Sequence, residues 1–114
     1  MTDEVGGWWP AYCVSKTLLN AITRHLAYEL EAKNIAVNAV CPGWIVTDMA
    51  RRGASEEAFA QRVASMRERT MVGRVGAPED IAAAVAFLAG PDAGFVTAQV
   101  LTVDGGRMDY IGHG

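Results

Sequence analysis

Residues 10–43 read PAYCVSKTLLNAITRHLAYELEAKNIAVNAVCPG and decide the fold. Pro10 suits a first helical turn, where its missing N–H has no intrahelical acceptor to lose. From about Ala11 to Lys33 the residues Leu18, Leu19, Ile22, Leu26 and Leu30 recur at intervals of three and four, the period of one helical face. Asn34 is suited to the left-handed cap that ends such a helix. Ile35 to Cys41 (IAVNAVC) is short and mostly apolar without alternation, the pattern of a strand covered on both faces, as in a parallel sheet. Pro42-Gly43 breaks it.

Downstream the pattern repeats. Ser55 is a candidate N-cap for a helix to about Thr70, after a loop that begins at Pro42. Gly73 and Gly76 mark a turn, and Pro78, Glu79 and Asp80 start a further helix with acidic groups at the positive end of its dipole. Ile81, Val85 and Leu88 form its apolar stripe, and Gly90-Pro91 stops it. Val100 to Val103 (VLTV) is a second strand, ended by Asp104-Gly105-Gly106. Residues 1–9 read as a loop. The order helix, strand, helix, helix, strand predicts an α/β fold with a parallel sheet. Two strands are few for three helical stripes, since independent sheets generally need three or more.

Composition narrows the function. The chain has 114 residues, 51% hydrophobic and 20% charged, with a formal net charge of −3. This is one domain's worth of chain, too apolar for disorder and without the basic footprint of a nucleic-acid or anionic-membrane binder. No apolar run reaches the roughly 20 residues of a membrane helix. Asp3 and Glu4 stand where a secretory signal would be basic, so a cytoplasmic protein is expected. Cys13 and Cys41 match no metal-ligand spacing and read as reduced thiols; no metal is expected. His25 and His113 read as surface histidines without ligand or triad partners. Cys13 reads as packing, and Arg51 and Arg52 as a solvated segment. Asn38 reads as structural.

Tyr12 and Lys16 are four residues apart at the start of the first helix, so both project from one face. A free phenol, with a pKa near ~10, is a poor acid–base group at neutral pH. A neighbouring ammonium favours the phenolate and lets tyrosine exchange a proton with a carbonyl or alcohol oxygen. With three Tyr and two Lys in the chain, chance gives about 0.05 such pairs. An ordinary exposed helical pair is the plain alternative. The glycine-rich turns at Pro42-Gly43 and Gly105-Gly106 lie at the carboxyl ends of the strands, where open α/β sheets bind ligands.

Three stretches, PAYCVSKTLLNAITRHLAYELEAKNIAVNAVCPGWIVTDM, GRVGAPEDIAAAVAFLAG and VLTVDGG, occur in this order. Together they resemble the C-terminal half of a short-chain dehydrogenase/reductase, carbonyl-reductase-like or oxoacyl-carrier-protein-reductase-like. The resemblance runs from about Gly6 to Gly106. It implies the C-terminal portion of a Rossmann-type doubly wound parallel sheet, two strands and three helices, with residues 1–114 a partial domain. It also implies NAD(P)-dependent hydride transfer between the cofactor and a small carbonyl/alcohol substrate. Tyr12 would be the proton donor or acceptor. Lys16 would lower its pKa and hold the nicotinamide ribose. Pro42 and Gly43 would pass the nicotinamide, Ile45 would offer backbone to its carboxamide, and the Thr47 hydroxyl would lie near the cofactor. Residues 44–73 correspond to the variable substrate lid. Trp8, Trp9 and Trp44 would line an apolar substrate entrance, or else serve as packing or oligomer contacts.

The family's Gly-rich phosphate turn, its Asn-Asn-Ala-Gly motif and its catalytic serine all precede the tyrosine, and none is in this sequence. The N-terminal dinucleotide-binding half is therefore expected to be absent and the chain inactive alone. Ser15, between the tyrosine and lysine on the helix, cannot replace the serine. The cofactor is NAD or NADP, the resemblance favouring NADP, and a homo-oligomer is implied for a full-length form. The competing reading is a non-catalytic remnant or an oligomerisation module.

Overall fold

The computed structural model describes the backbone of residues 9–108 and the side chains of residues 14–108. Trp8, His113 and residues 1–8 of the loop expected over 1–9 lie outside the described residues, as do the side chains of Trp9, Tyr12 and Cys13, while Trp9 itself is helical. The observed order is α1 (Trp9–Leu30), β1 (Ala39–Pro42), α2 (Asp48–Arg51), α3 (Glu56–Glu68), α4 (Pro78–Ala89) and β2 (Val100–Val103). Short 3-10 turns follow α1, at Glu31–Lys33, and α4, at Pro91–Ala93. The class is α/β, with a two-stranded sheet pairing β1 with β2. Ala39 N–H donates to Gln99 O and Gly43 N–H to Val103 O, both at 2.9 Å. The constant offset between these partners makes the pairing parallel.

Among the described residues there are four α-helices where three were expected. The additional one, α2, lies within the segment read as loop. A single turn carries no hydrophobic period, so the pattern could not reveal it. It forms because the Thr47 hydroxyl accepts from Ala50 N–H at 3.2 Å, with Asp48 in the first turn.

The chain divides into two compact units. The first comprises Met1–Ala39 and Ala93–Val100. In it α1 runs into its 3-10 turn and stops at Asn34, whose φ of 57° is the left-handed cap. Among the described residues the buried positions here are small: Thr23, Ala27 and Ala93. Thr23 satisfies its hydroxyl on Leu19 O at 2.9 Å. Leu18, Leu19, Ile22 and Leu26 stay exposed, and His25 pairs on the surface with Glu29 at 2.9 Å.

The strand expected over Ile35–Cys41 is regular only from Ala39. Opposite Val37 and Asn38 the partner segment turns at Ala98, at φ 61°. Side chains take over from the ladder there. Val37 N–H donates to Thr97 Oγ1, while the Asn38 amide donates to Val96 O and accepts from Gln99 N–H.

The second unit comprises Val40–Asp92 and Leu101–Gly114. Among its described residues the buried aromatic is Phe59 on α3. Ser55 caps α3 by accepting from Ala58 N–H at 3.1 Å. Pro78 opens α4, which stops at Gly90. Among the described residues no helix is long and apolar enough to cross a membrane.

Candidate active site

The second unit builds its site where β1 and β2 end. Pro42 closes β1, and Gly43 follows with its N–H on Val103 O. A Cβ on Gly43 would stand 2.6 Å from Asp104 Cβ and 2.7 Å from Asp104 Cα. Close approach of two backbones, rather than an unusual φ, therefore requires glycine here. Asp104 turns the chain by accepting from Gly106 N–H at 2.9 Å. Gly105 and Gly106 take the positive φ values, 67° and 72°, that this turn demands.

Beyond the turn, residues 105–108 pair with residues 69–72, which follow α3. Val72 N–H donates to Gly105 O, Met71 N–H to Gly106 O and Met108 N–H to Arg69 O. Thr70 and Arg107 form an antiparallel bridge.

Ile45 forms a parallel bridge with Gly76. Gly76 N–H donates to Trp44 O at 3.1 Å, and Val46 N–H donates to Gly76 O at 2.9 Å. In such a bridge residue 76 directs both of its polar groups at the neighbouring strand. Ile45 directs its own N–H and C=O to the opposite side. A Cβ on Gly76 would overlap Ile45 Cδ1.

Thr47 accepts from Ala50 N–H, which leaves its hydroxyl proton free to be donated elsewhere. Trp44 leans on Phe59 with ring centroids 6.2 Å apart, tilted by 36°. The Arg51 guanidinium lies 4.2 Å from the Phe59 ring centroid and 3.8 Å from Glu56. Arg62 donates to Ala50 O, tying α3 to α2. A cavity of about 210 Å³ opens in this unit, lined among others by Trp44, Ile45, Val72, Val103 and the Arg74–Asp80 pair.

That pair is bidentate. Both Arg74 nitrogens donate to Asp80 at 2.8 Å, and Asp80 Oδ2 also accepts from Ala77 N–H at 2.8 Å. Ala77 has no side-chain oxygen, so this is one half of a capping box. The Arg74 hydrogen bonds and, after them, the Ala77 N–H hold the Asp80 carboxyl well below the usual carboxylate range. Asp80 in turn raises the guanidinium further.

A family profile described as "Enoyl-(Acyl carrier protein) reductase" matches residues 3–108. The chain belongs to the short-chain dehydrogenase/reductase family. Among these reductases it is 42% identical over 97 residues to "Inactive 2-(S)-hydroxypropyl-CoM dehydrogenase 2" of Xanthobacter autotrophicus, covering 84% of this chain and 42% of that one. It is 41% identical over 99 residues to "3-oxoacyl-[acyl-carrier-protein] reductase FabG" of Rickettsia prowazekii, covering 85% and 38%. A solved "4-hydroxyisoleucine dehydrogenase complexed with NADH" superposes with a TM-score of 0.73 at 30% identity, covering 85% of this chain and 39% of that one. The chain thus spans about two-fifths of the length of the curated short-chain dehydrogenases it matches.

Of the residues singled out from the sequence, Pro42, Gly43, Trp44, Ile45 and Thr47 share the second unit. Tyr12 and Lys16 occupy α1 in the first unit, with Lys16 exposed. Asn38 is structural, with its amide engaged by Val96 and Gln99. Cys41 is a half-buried thiol outside any disulfide. Among the described residues no acidic, cysteine or histidine cluster could hold a metal. Gly76, Arg74 and Asp80 went unread as site residues. The signal was present in Arg74-x-Gly76-x-Pro78-x-Asp80, where an acid two positions after the helix-opening proline can reach back to the cap.

Proposed function

We propose that this chain carries the proton-transfer half of an NAD(P)-dependent oxidoreductase acting on a carbonyl/alcohol pair. The observation that carries the reading is Tyr12 and Lys16 one turn apart on the unbroken α1. Tyr12 Oη would give a proton to the carbonyl oxygen in reduction and take it back in oxidation. The Lys16 ammonium would stabilise the phenolate form between those events.

The cofactor's nicotinamide end fits the residues present. A carboxamide offers one acceptor and an NH₂ donor, and Ile45 turns the complementary N–H and C=O away from its bridge. The Thr47 proton would be a further donor for cofactor oxygens, and the family resemblance gives the Lys16 ammonium the ribose hydroxyls. NAD(P)H would supply the hydride. The substrate side would be bounded by Trp44, with Trp8 and Trp9 assigned to the same entrance by the family resemblance. NADP is the favoured form, the compartment implied is the cytoplasm, and a full-length form would be a homo-oligomer.

Phosphate-gripping and serine-bearing segments lie outside this sequence, so the isolated polypeptide should not turn over. The test is a paired assay of the purified chain, alone and supplied with the N-terminal half of a FabG-type reductase. Carbonyl reduction dependent on NADPH or NADH is expected only in the mixture, and Tyr12→Phe should abolish it. Turnover surviving Tyr12→Phe refutes the assignment.

One observation favours a second reading, a non-catalytic association module. Val14, Leu18 and Leu19 are each more than half exposed on α1, an unusual apolar stripe to leave in water. Concentration-dependent self-association, with no activity in any mixture, would support it.

A further inference from the structure

Resting on the cofactor reading above, we propose that Gly76 and the Arg74–Asp80 pair are positioning residues that hold the Ile45 backbone toward the nicotinamide carboxamide. Three observations within the second unit converge on this. First, both hydrogen bonds of the Ile45 bridge are made by Gly76, one through its N–H and one through its carbonyl. The orientation of Ile45's own N–H and C=O is therefore set by where residue 76 stands.

Second, residue 76 has no side chain where Ile45 Cδ1 lies, so the isoleucine seats on the glycine and any Cβ there displaces it. Third, the segment carrying Gly76 is held on both sides. Thr70 Oγ1 shares its one proton between Arg74 O at 3.0 Å and Arg67 O at 3.1 Å, and Arg74 donates to Val75 O at 3.1 Å. Asp80 then joins the Arg74 guanidinium to Ala77 N–H through three bonds of 2.8 Å. Gly76 lies between Arg74 and Ala77, so this clasp spans it. The same pair lines the cavity beside Ile45 and Trp44, which puts the clasp at the site rather than remote from it.

The experiment uses the full chain labelled with ¹⁵N, as wild type, Asp80→Ala, Asp80→Glu and Ser55→Ala. Ser55→Ala removes the α3 cap and serves as a control for general destabilisation. Two quantities are read: amide exchange at Gly76 and Val46, and the shift of the Ile45 amide on titration with reduced nicotinamide mononucleotide.

In Asp80→Ala, exchange at both amides should rise about threefold to fivefold beyond that in Ser55→Ala, a modest factor because the pair is partly solvated. Asp80→Glu should restore protection, since glutamate at this position also reaches the cap N–H. The Ile45 shift should appear in wild type and Asp80→Glu and shrink in Asp80→Ala.

Exchange in Asp80→Ala no greater than in Ser55→Ala overturns the clasp. An Ile45 shift as large in Asp80→Ala as in wild type overturns the positioning role and leaves the cofactor reading standing. An Ile45 amide that does not move in any variant overturns the cofactor reading and this inference with it.

Discussion

Ala98 holds φ at 61°, in the left-handed region that a side chain disfavours. Its conformation is imposed from both flanks. Ala98 N–H donates to Val37 O at 2.8 Å, Thr97 Oγ1 accepts from Val37 N–H, and Gln99 is bonded to both Asn38 and Ala39. The backbone cannot relax without breaking several of these bonds, so the strain persists in the folded state. Replacing Ala98 by glycine removes roughly 1–2 kcal/mol of left-handed cost. It adds back about 0.4–1 kcal/mol through a freer unfolded chain. Loss of one half-buried methyl costs a further ~0.4 kcal/mol.

The balance is a gain of about 0.5 kcal/mol. In urea titrations followed by circular dichroism it should raise the midpoint by about 0.3 M at unchanged slope. Ala98→Val should move the midpoint the other way, because a β-branched side chain is worse at this φ. A glycine variant no more stable than wild type, or a valine variant equal to it, refutes the reasoning.

Gly43→Ala drives a Cβ into Asp104 Cβ and Cα; pushing the strand ends apart should cost about 1–3 kcal/mol, read as a lowered melting midpoint. Thr47→Val should remove the α2 cap at a cost of about 1 kcal/mol and speed exchange of the Ala50 amide, while Thr47→Ser should preserve both. Asp80 titrates below the usual range in the folded chain, so the unfolded chain binds more protons as the pH falls. The stabilisation is complete above about pH 4 and lost as acid titrates the folded group. Urea midpoints between pH 5 and pH 2.5 should fall more steeply for wild type than for Asp80→Asn, with the difference reduced in 1 M salt.

Local signals in the sequence carried most of the element order. Pro10, Asn34, Ser55, Pro78 and Gly90 each act through their own backbone geometry or a bond three residues away, so their effects are readable without knowledge of the fold. VLTV coincides with β2 for the same reason, being bounded by turn chemistry. The first strand was read four residues too early, because the shape of Ile35–Asn38 is dictated by a segment about 60 residues away that bends at Ala98. Turn α2 is too short to show a period.

Non-local chemistry was the least legible part of the site. The roles expected of Pro42, Gly43 and Ile45 come from family likeness alone. The seat that Gly76 provides for Ile45 depends on a bridge between residues 31 positions apart in sequence. The Phe59–Arg51 contact likewise depends on how α3 folds back over α2, where Arg51 reads in sequence only as charge. The exposed leucines of α1 reverse a usual expectation. The period was correct, yet among the described residues of that unit the buried positions are the small Thr23, Ala27 and Ala93.

The antiparallel pairing of residues 69–72 with 105–108 also has a mechanical meaning. Its three backbone bonds, Val72 to Gly105, Met71 to Gly106 and Met108 to Arg69, lie in series behind β2 along the chain. Force applied at the C-terminal end would load them one after another before it reached Val103. The 69–72 segment would then peel away before the parallel pair was sheared. Anything grafted after Met108 that pulls or crowds would be felt first at Arg69–Val72, and a tether placed there gives a handle on that segment without touching the strands.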